Sequence, residues 1–447
     1  MTRWRVRARP LRGRLRLPSD LHIGQEALLW AALGEGHSQL SDLSPRAEHR
    51  ALIAALRQLG VGIAEVEGGV HVAGVGLRGL RAPPGALDAG ESPTCVEILA
   101  ALLAGQLFGT RIEARGEARQ HSLRTLVPPL RERGAQIAGT SGEAGTLTAP
   151  VAVAPLLADE SLAAVEIEIP SGDPATKRAL LISGLFTRGV TAIQEGLLSR
   201  DHTERALLAL GLPVQTLGPL TLLDTTDAAP SWPGLQWQIP GDFSLAAHVI
   251  AAALAVPGSD VVIEQVGLNR SRTGFLDALR HAGAEITLTP KGDCAGDEPV
   301  GEIRVRSSRL RGIRVLGELG QRLLDDVPAF LALSAACTGR ITLRDVGALR
   351  LWAGDPLKQC VQVLRAFGLE CTEYEDGVDL ERPAPPHGNT LAGDAAAPQK
   401  LLGLTLGLAA EGETWLTRAE TLDALYPGLR AALVGVGADI EPQDAAE

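Results

Sequence analysis

The segment Arg3-Trp4-Arg5-Val6-Arg7-Ala8-Arg9 alternates cationic and apolar residues. A strict period of two predicts a strand with one solvated cationic face and one packed face. Further along, Thr176 to Leu185 is an apolar stretch of helical character that ends near Gly189, and Val190-Thr191-Ala192-Ile193 follows as a strand. Asp201-His202-Thr203-Glu204 starts a second helix, running through Leu210, and the three-residue step from Asp201 to Glu204 has the form of a capping box. Strands at Pro213-Val214-Gln215-Thr216 and at Leu220 to Leu223 close the segment. The unit therefore reads helix, strand, helix, strand, strand, with a short strand leading in. Alternation of this kind predicts an α/β protein.

A pair of glycines repeats the unit six times. Gly36, Gly109, Gly189, Gly258, Gly339 and Gly412 each end an apolar run and open a strand. Gly60, Gly134, Gly211, Gly283, Gly368 and Gly437 each follow an L-x-x-h-G pattern and open another. Helices commonly end in a left-handed residue, which glycine adopts at least cost. A fixed period predicts one supersecondary unit used repeatedly. Six units divide into two domains of three, expected at 20–238 and at 1–19 plus 239–447, with the crossing at Trp237-Gln238-Ile239-Pro240-Gly241-Asp242. A cleft between the halves is the default place for a ligand.

Composition narrows the function. The chain has 447 residues and a formal net charge of −11, which argues against a phosphate backbone as partner. Five scattered cysteines without C-x-x-C spacing predict buried, reduced thiols. No apolar segment suggests a signal peptide or a membrane span. No His/Cys/Asp/Glu cluster has metal-ligand spacing, so neither metal nor cofactor is expected. The expectation is a cytoplasmic monomer.

Ser199-Arg200-Asp201-His202-Thr203-Glu204-Arg205 carries a family likeness, and so do Pro240-Gly241-Asp242-Phe243-Ser244, Val266 through Gly274, Leu324-Asp325-Asp326-Val327-Pro328, Leu17-Pro18, Ala27-Leu28-Leu29 and Tyr426-Pro427-Gly428. With these the chain resembles the 5-enolpyruvylshikimate-3-phosphate synthases over nearly its whole length. The resemblance implies a two-domain inside-out α/β barrel of six βαβαββ-type units in two pseudo-threefold domains. It also implies transfer of the enolpyruvyl group of phosphoenolpyruvate to shikimate 3-phosphate, in aromatic amino-acid biosynthesis. Both substrates are multiply anionic, so the chemistry needs a dense set of Lys and Arg to neutralise and orient them.

Most of that set is replaced here. Against the family's L-P-G-S-K-S-x-S-x-R loop, the lysine position is Leu21, the next serine is His22 and the arginine is Glu26. Against N-S-G-T-x-x-R, the arginine position is Glu97. The arginine expected to hold phosphoenolpyruvate falls at His121, and the S-A-Q-V-K loop has become Asp173-Pro174-Ala175-Thr176-Lys177. In the second domain the L-R-V-K-E-S-D-R motif places Trp352, Ala353 and Pro356 where Lys, catalytic Glu and Arg belong. The D-H-R motif is Ala396-Ala397-Pro398, and the late lysine is Ala424. What the resemblance leaves is Asp325 as the catalytic aspartate, with Lys177, Ser199, Arg200, Thr94, Arg350 and Asp355 as substrate-binding residues. A charge-assisted hydrogen bond contributes about 1.5–3 kcal/mol. Half a dozen losses would naively remove on the order of 10 kcal/mol, although such losses are not additive.

Proline has entered four of these loops, at Pro93, Pro174, Pro356 and Pro398. Three of them follow Ser92, Asp173 and Asp355, which predicts helix starts capped from within, where free N–H groups would otherwise receive a phosphate. Each surviving site residue also has a structural reading: Asp325 or Asp326 as a helix cap, Lys177 as a solvated helix residue, His22 and His202 as isolated surface or packing residues. Two functions follow, a transferase with a rebuilt or weak site and a non-catalytic relative that binds or regulates. RNA 3′-terminal phosphate cyclases share the repeating unit, but the acidic charge makes that reading remote.

Overall fold

The computed structural model describes residues 2–141, 147–157, 160–169, 173–227, 229–352, 354–381, 385–393 and 395–444. Ala353, the position of the family's catalytic glutamate, lies outside them. Two compact units are present. One comprises Leu21–Ile239 with Cys294–Glu298, the other Met1–Asp20, Pro240–Asp293 and Pro299–Glu447. They are called the 21–239 and 240–447 units below.

The described residues form six four-stranded sheets, three in each unit. In the third repeat, Glu166–Ile169 runs parallel to Val190–Glu195. Val190–Glu195 pairs antiparallel with Leu220–Asp224, which pairs antiparallel with Val214–Leu217. The same order of leading, second, fourth and third strand recurs in the other sheets. Three of them are closed by distant chain, one by Arg12–Arg16, which runs parallel to Asp260–Gly267. Gln236–Gln238 supplies the leading strand beside Glu35–Ser41, and Thr2–Arg7 lies between Glu413–Leu416 and Asp439–Asp444.

Each sheet has one face inward, and the helices it covers are apolar almost all round. Leu21–Leu33, Pro93–Leu103 and Pro174–Gly184 are buried along nearly their whole lengths in the 21–239 unit. Phe243–Ala255 and Ala397–Gly407 are their counterparts in the 240–447 unit. A helix without a polar face belongs inside a core, and each unit has its own core. This is the inside-out α/β arrangement that the resemblance implies.

In the first strand, Trp4 and Val6 are buried while Arg5 pairs with Glu441 and Arg7 with Glu413. It stops at Arg7, and Ala8 is exposed, because Pro10 just beyond cannot donate to a ladder. All six glycines of the second series have left-handed φ, between 76° and 103°. In the first series Gly109 and Gly339 do not. A side chain at Gly109 would sit 2.8 Å from the Val153 carbonyl oxygen and one at Gly339 2.7 Å from Gly312 N, so close approach explains both. Cys95, Cys337 and Cys360 are buried as expected, whereas Cys294 and Cys371 are half-buried. No helix among the described residues is long and apolar enough to cross a membrane.

Candidate functional site

The four proline-bearing loops all begin helices. Ser92 Oγ accepts from Cys95 N at 3.2 Å ahead of Pro93–Leu103, and Gln25 Nε2 donates to the same oxygen at 3.2 Å. Asp173 accepts from Thr176 N at 3.0 Å ahead of Pro174–Gly184, and Thr176 Oγ1 donates to its other oxygen at 2.8 Å. Asp355, with φ at 52°, accepts from Lys358 N at 3.0 Å ahead of Pro356–Ala366. Ala396 has no side-chain acceptor; its own N–H donates to Gln399 Oε1 at 2.8 Å. Donors that a bound phosphate would occupy are thus taken by side chains of the chain itself.

Glu26 and Glu97 are both buried in the 21–239 unit. Glu97, in the second turn of its helix, lies 2.9 Å from His121 Nε2 and 2.5 Å from Arg178 Nη2. Glu97 and His121, 24 residues apart in sequence, therefore bond each other. Burial pushes the Glu97 carboxyl up, but the His121 bond and the Arg178 charge outweigh it and hold it below its ordinary range. Burial lowers His121, and the Glu97 bond lifts it above its usual value. Glu26 is also buried. Its Oε1 accepts from Thr203 Oγ1 at 3.0 Å, and its Oε2 has no hydrogen-bond partner among the described residues. Desolvation raises its pKa, against the opposing charges of Arg178 and His202.

The predicted site residues are distributed unevenly. Lys177 is 2% exposed and lies between Glu195 at 2.9 Å and Glu204 at 2.7 Å. Burial would lower its pKa, but the two carboxylates outweigh that and keep it charged. The solvated-helix reading of Lys177 is therefore wrong: the helix is buried from Thr176 to Gly184, so its ammonium meets its counter-ions inside. The backbone N–H of Ser199 donates to Glu195 Oε1 at 3.2 Å, and its Oγ has no hydrogen-bond partner among the described residues. Arg200 is half-buried, and its charge acts on Glu97. Thr94 is buried at the second position of its helix.

In the 240–447 unit, Arg350 and Asp355 bond each other at 2.9 Å, and Arg350 also pairs with Glu373 at 2.8 Å. The Asp325 side chain stays 24% exposed, 3.9 Å from Arg272 Nε. Neither Asp325 nor Asp326 caps a helix by its side chain. Asp326 is instead held by Arg272 Nη1 at 2.6 Å and by Ser244 Oγ at 2.9 Å. Asp201 makes no cap hydrogen bond either; its carboxylate takes Arg205 Nε at 3.0 Å, while Glu204 is drawn to Lys177. Nor is His202 isolated. It is buried, with Nδ1 2.7 Å from Glu298 Oε1. Arg178, Glu195, Thr203 and Arg272 escaped sequence reasoning. A signal existed for Glu97, a lone charge within an apolar helical run, and for Arg178, which sits beside Lys177 in another, since a buried charge requires a partner.

No group of three His, Cys, Asp or Glu among the described residues could hold a metal ion. The arrangement is a set of internally neutralised ion pairs around capped helix starts.

The sequence model of the family described as EPSP synthase (3-phosphoshikimate 1-carboxyvinyltransferase) matches residues 6–433. Among curated relatives, the 3-phosphoshikimate 1-carboxyvinyltransferase of Synechococcus sp. (strain JA-3-3Ab) is 35% identical over 423 residues, covering 94% of this chain and 93% of its own. That of Brevibacillus brevis (strain 47 / JCM 6285 / NBRC 100599) is 31% identical over 433 residues, covering 96% and 98%. Among solved structures, the EPSP synthase from Acinetobacter baumannii superposes with a TM-score of 0.85 at 27% identity, covering 99% of this chain and 100% of that one. By sequence and by fold alike, this chain belongs to the EPSP synthase family.

Proposed function

We propose that this chain is an EPSP synthase relative whose anion sites have been closed from within. Ordinary transfer of the enolpyruvyl group from phosphoenolpyruvate to shikimate 3-phosphate is lost or greatly weakened, and the fold serves in binding or regulation. The observation that carries this reading is Glu97, fixed between His121 and Arg178. A carboxylate stands where the family offers an arginine, and the nearby cations are already spent on it. An incoming trianion would meet Glu97 and Glu26 as like charges in a poorly solvated region, where repulsion is weakly screened. Capped helix starts at Ser92, Asp173 and Asp355 support the same conclusion.

A second reading, a transferase with a rebuilt site in the shikimate pathway, is favoured by Asp325, which stays part-exposed beside Arg272, and by the unengaged hydroxyl of Ser199. In either case the protein is taken to work in the cytoplasm as a monomer. Calorimetric titration with shikimate 3-phosphate, followed by phosphoenolpyruvate with phosphate-release detection, separates the two. The first reading expects no heat and no phosphate. Binding with turnover overturns it and assigns the reaction to Asp325, Ser199 and Arg200.

A further inference from the structure

Beside Glu26 the 21–239 unit holds a small cavity of about 10 Å³, partly open to solvent, whose lining includes Glu26, His202, Ala206, Trp237, Gly296 and Glu298. That is room for about one water-sized group, so it suits a single small headgroup and not a whole substrate. Its chemistry is lopsided. Glu26 is 96% removed from solvent, yet one of its oxygens has no hydrogen-bond partner among the described residues. An orphaned buried carboxylate oxygen is costly and calls for an explanation. Glu298, 2% exposed, adds a second carboxylate to the wall, and the aromatic Trp237 lines it as well. The positive groups nearby are engaged already: Arg178 with Glu97, and His202 with Glu298.

We propose that this cavity binds a primary ammonium headgroup, with Glu26 Oε2 as its counter-ion and Trp237 beside it. The proposal rests on the reading that the family's anion chemistry is lost here. It adds to that reading the class of ligand that the reversed charge at position 26 recognises. An ammonium supplies three donors and no acceptor. It would satisfy the orphaned oxygen and neutralise a carboxylate that otherwise stands desolvated. Among the described residues no three His, Cys, Asp or Glu are placed to hold a metal, so a divalent ion is a poorer match.

The test uses the full chain with methylammonium chloride as probe, sodium chloride at matched ionic strength as control, and thermal unfolding as readout. At about five times its Kd, methylammonium is expected to raise Tm by ~1–2 °C. Tetramethylammonium, which has no N–H donor, is expected to leave it unchanged. Glu26→Gln keeps the shape and the Thr203 bond but removes the charge, and should abolish the shift. Ala206→Leu fills the wall without touching the charge, and should abolish it too, which keeps the test decisive if one variant folds poorly. An equal rise in Glu26→Gln, an equal rise with tetramethylammonium, or no rise in the parent up to about 100 mM at neutral pH overturns the proposal. Titration of the same samples with shikimate 3-phosphate distinguishes the two failures. Heat there overturns the lost-anion reading, whereas silence with both ligands overturns the ammonium site alone.

Discussion

The two units hold their candidate-site charges in different ways. In the 21–239 unit charge lies inside: Glu97 with His121 and Arg178, Lys177 with Glu195 and Glu204, all but His121 nearly removed from water. In the 240–447 unit Arg272 and Asp326 form a buried pair, but the Arg350 cluster and Trp352 stay near the surface. Arg350, 21% exposed, joins Asp355 and Glu373, while Trp352 is 37% exposed. The physical consequence differs. A buried ion pair is hard to break, because removing one partner strands the other in a medium that cannot solvate it. A surface pair is worth little. The 21–239 unit should therefore be the one that resists conversion back to an anion site.

Lys177→Met probes that claim most severely. It leaves Glu195 and Glu204 facing each other, both buried, and should destabilise the protein by about 3–5 kcal/mol. Denaturant unfolding measures it. A loss of under about 1 kcal/mol would mean that water reaches the triad and that the contrast between the units is false. Arg350→Met is the matched control, expected within about 1 kcal/mol of the parent.

Glu97→Gln comes next. It leaves Arg178 without its counter-charge and should cost about 3 kcal/mol, at the lower end of the buried-pair range because His121 loses only a neutralisable partner. The pair also sets a pH window. Glu97 is depressed, so its contribution is present above the unfolded carboxylate value of about 4.3 and is lost as pH falls through its lower folded value. His121 is raised, so its contribution is full below about 6.5 and fades as pH rises through its higher folded value. The difference in stability between the parent and His121→Gln should therefore be larger at pH 5.5 than at pH 9. A flat difference across that range would show that His121 is not protonated beside Glu97.

The alternation at Thr2–Arg7, the six-fold repeat and the third repeat's element order were all legible in the chain, because period and glycine position are local properties. The caps at Ser92, Asp173 and Asp355 were legible for the same reason. The charge network was not. Glu97 and Arg178 are 81 residues apart, and nothing local says which buried acid meets which buried base. The capping box at Asp201 failed because Lys177, on another helix, drew Glu204 away. Local grammar holds where neighbours in sequence are the only partners on offer, and it yields where a buried charge must be matched.

Glu26→Gln sharpens the contrast inside a single unit. Unlike Glu97, Glu26 meets no cation by hydrogen bond among the described residues, and one of its oxygens has no partner there. Removing its charge should leave the protein about as stable at pH 7, or up to ~1 kcal/mol more so. The sign follows from burial. A carboxyl raised in the folded state binds its proton more tightly there, so the parent loses stability as pH rises through that raised value. The advantage of the variant should therefore shrink towards about pH 4.3, where both forms of the parent are protonated. A variant less stable than the parent by 2 kcal/mol or more would assign Glu26 a partner that its geometry does not provide.

The smallest effect belongs to the 240–447 unit and tests how its helix start is built. Asp355 combines a cap with a left-handed backbone, φ at 52°. Asp355→Ala removes the cap and keeps the strain, so it should cost about 1–2 kcal/mol. Asp355→Gly loses the same oxygen but suits the backbone, and should cost no more than a few tenths of a kcal/mol. The order of the two variants carries the argument. If glycine and alanine destabilise equally, the carboxylate matters through Arg350 and Glu373, and this surface cluster is tied together after all. If alanine alone is costly, the helix start is a local device, independent of the charges around it. In that case only the 21–239 unit has its replacements locked into a network.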